Sequence, residues 1–443
     1  MNIRIRRIYY LVFAIIFVIC TPLLLFYSQG YRYDWQRQQF YKIGAIKLAS
    51  NPSRADIILN GEYVGKTDDL VHNLKAGIYN LKISKDRYLP WQKDVEVLPA
   101  ETAIFSDIIL FKSNEQPAKL FDGLNVFKLS PDKERIAYQD IYSQIWLHDL
   151  TKVAESIQLP AQYQIASINW SIGSTKILLE TTGTNHQYFI IDKDNTKEIV
   201  HLNSLTASTI TYVNWDTVSD RFLYWQDDQN IYRYDCRDKK ITVSKTDLPA
   251  DWLAADDQLF MFTPNLPNKL QIYTWSREHT EGIGISGLSD NLLFSNYSNS
   301  THYLVMSDLD NSITNIFSLD QKAVIGQIPI AGVTTFSVDR KYFLIKDQHQ
   351  LWLWDVDNQT SELLTRVTTT IKDAVFVDNS PYLLFSTEGM IKAVEFDPRH
   401  RLIQDLYEID AEELYVLNKN NLAYSQAQPT KIDNSSLFNL VFR

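Results

Sequence analysis

Eight histidines, two cysteines and a recurring series of aspartates are the residues in this 443-residue chain whose chemistry could build a reaction centre. His72, His148, His186, His201, His279, His302, His349 and His400 are scattered, and no two stand at the spacing that turns two imidazoles toward one metal. His148 falls within an apolar run and is expected to be an ordinary strand residue. Cys20 and Cys236 are too few for a cysteine zinc site, and Cys20 lies in an apolar stretch where a structural disulfide has no place. The chain contains no Gly-x-Ser-x-Gly elbow, no lysine-bearing phosphate loop and no His-Glu-x-x-His. No catalytic residue, no cofactor and no metal ligand is therefore expected. Asp149, Asp192, Asp235 and Asp355 recur at the ends of apolar runs. They could form a ring of carboxylates, but an aspartate at a strand end more simply caps the turn that follows it. Asp227-Asp228 and Asp256-Asp257 are expected at solvated hairpin tips.

The elements that carry these aspartates repeat. Ser130–Tyr138 reads as a turn followed by a buried strand, and similar segments are Ser171–Leu179, Asp216–Trp225, Ala255–Phe262, Ser289–Ser295, Val338–Ile345, Val377–Phe385 and Leu417–Tyr424. A second strand follows each one. The markers Asp149, Asp192, Asp235, Ser276, Asp308, Asp355, Asp397 and Val441 are separated by 43, 43, 41, 32, 47, 42 and 44 residues. Several short strands at a period near 42 are the signature of β-propeller blades. One four-stranded blade alone exposes two apolar faces, and a closed ring of blades buries both. Eight blades are expected, or seven if one unit only closes the ring.

The first unit resembles the repeat of TolB and WD40-like propellers, whose core is Ser-Pro-Asp-Gly before an apolar strand. Ser130-Pro131-Asp132 is present here, with Lys133 at the glycine position. Leu351-Trp352-Leu353-Trp354-Asp355-Val356 is similar to the strand that ends WD40 units, but the Gly-His dipeptide of those repeats is missing. The chain thus reads as a divergent propeller over residues 113–443.

Residues 36–112 read as a small β-sandwich of short strands and turns. Asn60-Gly61 is a strong hairpin signal, because both residues accept positive φ. The region resembles the PEGA domain through Ser50-Asn51-Pro52, Ile58-Leu59-Asn60-Gly61, Gly65-Lys66-Thr67 and Leu74-Lys75-Ala76-Gly77-Ile78-Tyr79. Lys75-Ala76 replaces the family's Pro-Glu, and Arg87 stands where the family has glycine before the aromatic Tyr88. The resemblance implies a surface or envelope role without enzymatic activity. A generic sandwich acting as a spacer would fit the same residues.

Residues 1–35 form a basic flank and an apolar helix. No charged residue separates Arg7 from Arg32, and thirteen residues from Ile8 to Tyr27 are Leu, Ile, Val or Phe. That is long enough to cross a hydrocarbon core of about 30 Å. Arg4, Arg6 and Arg7 are expected to stay in the cytoplasm by the positive-inside rule, with the C-terminal domains outside the cell membrane. Tyr9 and Tyr10 at one end, and Tyr27, Tyr31, Tyr33 and Trp35 at the other, are expected at the membrane interfaces. A cleaved signal would need small residues after the apolar run, where Leu24-Leu25-Phe26-Tyr27 stands instead.

The net charge is −10, and residues 36–443 carry more than all of it, because residues 1–35 are net basic. An acidic body repels phosphate backbones, so nucleic acid is not an expected partner. The expected partners are a lipid bilayer, through residues 8–28, and an envelope protein or glycan. The sequence therefore points to an all-β, single-pass envelope protein with a non-enzymatic binding or scaffolding role. The alternative is a propeller hydrolase or lyase acting on envelope polymers. No hydrolase domain is expected beyond the last repeat, so such an enzyme would need a buried carboxylate–His or carboxylate–carboxylate pair assembled from different blades.

Overall fold

A computed structural model describes residues 3–35, 38–150, 155–157, 159, 162–244, 247–263, 269–285, 288–289, 291–337, 339–399, 401–417, 420–427 and 435–443. His400 and Val338, named above, lie outside the described residues. The chain divides into two compact units. The first comprises residues 1–116, 395–406 and 441–443, and the second comprises residues 117–394 and 407–440.

The first unit opens with helix α1 (Ile3–Ser28), which contains Pro22. Eight strands follow: β1 (Tyr31–Asp34), β2 (Gln39–Asn51), β3 (Asp56–Leu59), β4 (Glu62–Lys66), β5 (Asp69–Lys75), β6 (Gly77–Ser84), β7 (Trp91–Val97) and β8 (Thr102–Ile109). They form two sheets. One runs β1-β2-β5, with β8 joined parallel to β2, and the other runs β4-β3-β6-β7. Alternation sets the buried faces. In β7, Trp91, Lys93, Val95 and Val97 are buried while the residues between them are exposed. Ile46, Leu48, Ile57, Leu81, Ile83, Trp91, Val95 and Phe105 fill the space between the sheets. Asn60 and Gly61 do turn the β3–β4 hairpin with positive φ, at 51° and 87°.

A charge is held inside this core. The Lys93 side chain is only 3% exposed. Its Nζ donates to Glu395 Oε1, to Asp397 Oδ2 at 3.4 Å and to the Arg399 carbonyl at 3.1 Å. Glu395 also accepts from Trp91 Nε1 at 3.2 Å and from the Leu402 N–H at 3.1 Å. A buried ammonium persists only when paired and hydrogen-bonded, and Lys93 has three acceptors.

The remaining strands make an eight-bladed propeller. Six sheets of four consecutive strands each span residues 165–201, 212–243, 251–284, 292–328, 333–366 and 371–407. We number these blades two to seven. The strand Ala118–Leu129 serves two blades. Its later residues pair with Arg135–Asp140 to begin blade one, and its earlier residues pair with Ser435–Val441 as the fourth strand of blade eight. Ser436 Oγ donates to Asp122 Oδ1 at 2.7 Å across this join. The count of eight is therefore correct, and one chain segment shared by the first and last blades closes the ring.

The uneven period in the sequence has a simple cause. In blade five the marker Asp308 ends the second strand (Tyr303–Asp308), whereas the other markers end or follow third strands. The third strand of blade five ends at Ser318. Ser289–Ser295 likewise runs into that blade's first strand (Leu292–Ser298) and not its second. The markers in blade five therefore fall one strand earlier than in the other blades, which accounts for the short step and the long step beside it.

Candidate binding site

Three of the four recurring aspartates, Asp192, Asp235 and Asp355, are turn caps. Asp235 Oδ1 accepts from the N–H groups of Arg237 and Asp238 at 2.9 and 3.1 Å. Asp192 accepts from the Asp194 N–H and Asp355 from the Asn358 N–H, both at 2.9 Å. Asp149 faces Arg135 at 3.8 Å. Asp227 differs from the solvated tip expected for it. It is buried, and it accepts from the N–H groups of Gln229 and Asn230 and from Tyr232 Oη. Those three hydrogen bonds hold its carboxyl below the usual range despite its burial.

The described histidines do not converge. Among the described residues, no group of three His, Cys, Asp or Glu side chains could hold a metal ion. His148 lies in a strand, its ring edge-on to Phe121. His186 Nδ1 meets Glu180 Oε1 at 2.9 Å, and Ser167 Oγ donates to Glu180 Oε2 at 2.8 Å. In this cluster the carboxylate sits between the serine and the imidazole. The histidine cannot take the serine proton, so the arrangement lacks the order a nucleophile needs. Cys20 and Cys236 are both free. Burial pushes the Cys236 thiol up to about 12, which keeps it protonated and unreactive.

Half-buried carboxylates on the first strands of the blades join one blade to the next. Asp251 of blade four accepts from the Phe294 N–H of blade five at 2.6 Å. Asp373 of blade seven accepts from the Leu414 N–H of blade eight at 2.9 Å. Trp215 Nε1 donates to the Asn169 carbonyl and Trp170 Nε1 to the Lys128 carbonyl, at 3.1 and 3.0 Å. Burial raises the pKa of both Asp251 and Asp373. On the first strand of blade eight, Tyr415 Oη donates to Glu413 Oε2 at 2.5 Å. Burial, and then the Glu413 charge, raise the Tyr415 pKa far above its ordinary value. This phenol remains a donor at any physiological pH.

One concave feature of the propeller lies elsewhere. A pocket of about 600 Å³ opens where blades five, six and seven meet. Leu293 and Phe294 come from the first strand of blade five, and Leu309 follows its second strand. Val333 and Thr334 belong to the first strand of blade six, and Ile371 opens blade seven. Leu293, Leu309 and Val333 are exposed, Val333 to 65%. The floor is built tightly. Phe294 stacks on Phe262 with centroids 4.5 Å apart. A Cβ on Gly332 would lie 2.4 Å from the Lys346 carbonyl oxygen, so only glycine lets the two backbones approach this closely. The Lys346 and Asp347 side chains at the rim are already engaged. Lys346 Nζ donates to the Lys372 carbonyl at 2.5 Å, and Asp347 Oδ1 accepts from the N–H groups of His349 and Gln350. The pocket thus offers exposed aliphatic surface on a rigid frame, which suits recognition of an apolar group.

Sequence reasoning did not find this pocket. Its residues come from three blades, and no local motif links Leu309 to Val333 or Ile371. The arginines and interface aromatics named from the sequence belong to the other unit. Arg4, Arg6, Arg7, Tyr9, Tyr10 and Tyr27 lie on α1, Tyr31 and Tyr33 on β1, and Trp35 directly after β1.

Comparison with known proteins agrees with this architecture. Residues 43–107 match the PEGA domain family. The chain is similar in structure to the C-terminal WD40 domain of Sif2, with a TM-score of 0.52 and 12% identity, covering 73% of this chain and 98% of that one. It is also similar to Hsv2 of Kluyveromyces lactis, with a TM-score of 0.46 and 9% identity, covering 64% of this chain and 98% of that one. At such identity the first likeness establishes the fold alone, a WD40-like propeller, and residues 43–107 beside it match the PEGA domain. No curated protein sequence matches the chain. No enzyme family is indicated.

Proposed function

We propose that the chain is a single-pass protein of the cell envelope. In this reading α1 is an uncleaved anchor, Arg4, Arg6 and Arg7 remain in the cytoplasm, and the sandwich and propeller lie outside. The propeller recognises an apolar segment of an envelope partner through the pocket on blades five to seven, without catalysing a reaction. The observation that carries the anchor is the stretch Tyr9–Ser28, which is apolar, 20 residues long and unburied by the rest of the chain. Such a surface is stable in hydrocarbon and costly in water.

The binding half is supported by the exposed aliphatic residues of the pocket and by the use of the nearby carboxylates as inter-blade acceptors. It can be tested in cells with a photo-crosslinking residue at Val333, and with a control at the exposed Ile172 of blade two. A discrete adduct at 333 that is absent at 172 and abolished by Leu309→Asp is the expected result. The same adduct at both positions, or none at 333, would overturn the site.

A further inference from the structure

The segment that joins α1 to the sandwich is a hairpin with two unlike faces. β1 pairs with the start of β2 in the register Tyr31↔Lys42, Arg32↔Tyr41, Tyr33↔Phe40 and Asp34↔Gln39. Because side chains alternate, Tyr31, Tyr33, Phe40 and Lys42 share one face, and Arg32, Asp34, Gln39 and Tyr41 share the other. The first face is a continuous aromatic surface. Tyr33 meets Phe40 at 5.0 Å between ring centroids and Trp35 at 4.9 Å. Phe26 of α1 meets Tyr31 at 5.3 Å and Phe40 at 6.2 Å, which joins this face to the apolar helix without a break.

This face is not part of the sandwich core. The pairing of β2 with β5 begins only at Ile43, so among the described residues no further strand pairs with the hairpin. Trp35 is 84% exposed and Phe40 64% exposed. The opposite face is tied to the sandwich, since Lys75 Nζ reaches Asp34 at 3.0 Å and lies over the Tyr41 ring at 4.9 Å. Lys42 borders the aromatic surface, its Nζ over the Tyr31 ring at 4.9 Å, while Arg32 from the opposite face turns to the helix end, stacking on Tyr27 at 3.7 Å and donating to the Tyr27 carbonyl at 3.0 Å. Rings with a polar edge flanked by Lys and Arg are the side chains that partition into the headgroup layer, where the rings meet acyl carbon and the cations meet phosphate.

We infer that this hairpin is a second membrane contact, a platform whose aromatic face lies in the phospholipid headgroup layer with Lys42 at the phosphate level. The inference rests on α1 being a membrane anchor. A helix alone leaves the attached domain free to swivel, whereas a helix and a hairpin seated in one interface fix the tilt of the sandwich.

The test uses the full chain in phospholipid nanodiscs, in a Cys20→Ser, Cys236→Ala background, with single spin labels introduced by Ile16→Cys, Trp35→Cys, Phe40→Cys and Ile78→Cys. Ile78 is an exposed apolar residue in β6 and serves as the control. Collision with oxygen relative to a water-soluble relaxant reports depth. The expected result is hydrocarbon depth at 16, a several-fold higher ratio at 35 and 40 than at 78, and water-like behaviour at 78. Hydrocarbon depth at 16 with 35 and 40 as water-exposed as 78 would overturn the platform and leave the anchor standing. Water-like behaviour at 16 would overturn the anchor, and the platform with it.

Discussion

Arg87 and Lys133 occupy positions where the related PEGA and TolB-like patterns have glycine, and both keep the left-handed backbone, with φ of 64° in each case. A side chain in that region costs about 1–2 kcal/mol, partly offset by the chain entropy that glycine loses on folding. Arg87 is 87% exposed, and its guanidinium faces Asp86 at 3.9 Å. Arg87→Gly should therefore stabilise the sandwich by roughly 0.5–1 kcal/mol, seen as a higher denaturant midpoint with unchanged slope. At Lys133 the gain should be smaller, because glycine there also loses the ion pair to Asp378 at 3.2 Å. Asp251 gives a pH test. Burial raises its pKa, so the folded state binds that proton more tightly than the unfolded state. Its destabilising effect is absent below the ordinary carboxylate pKa, near about 4, and grows as pH rises through the raised folded value. Asp251→Asn keeps an acceptor for the Phe294 N–H and removes the charge. Its melting temperature relative to the parent should rise between about pH 4 and pH 7, and a constant difference would contradict this account.

At the scale of elements, strands were more legible than the positions of their boundaries. Asn60-Gly61 announced its hairpin because positive φ is written in those two residue types. Strand β5 was not read, since Asp69–Lys75 lies at a sheet margin with mostly exposed residues and lacks a buried alternation. In blade five the first strand, Leu292–Ser298, carries a bulge between Phe294 and Asn296, which blurs its alternation and let it pass for a second strand. The pocket was illegible for another reason, because its walls are assembled by ring geometry. The buried network around Lys93 was equally hidden, since residues about 300 positions apart supply its charges. Lys93→Met leaves Glu395 buried without its cation and should cost about 3–5 kcal/mol. Adding Glu395→Gln should recover part of that loss in thermal melts, and a double variant no more stable than Lys93→Met would argue against a charge-pair role.

For the whole molecule, the ring is closed by one strand that belongs to both the first and last blades. Truncation before Ser435 removes the third strand of blade eight and leaves the early half of Ala118–Leu129 without a partner on that side. Open edges and an uncovered blade face should follow, seen as loss of cooperative melting and loss of solubility. A truncated protein that remained soluble and melted cooperatively would show that closure is dispensable.

The central claim is that α1 holds the propeller outside the cell membrane. It is tested most directly by fusing, after Arg443, either a reporter active only outside the cytoplasm or one active only inside it, and by washing the membranes with alkaline carbonate. The account predicts activity of the external reporter alone, with the full-length protein retained in the washed membranes. Activity of the internal reporter, or release of the protein by the wash, would contradict it.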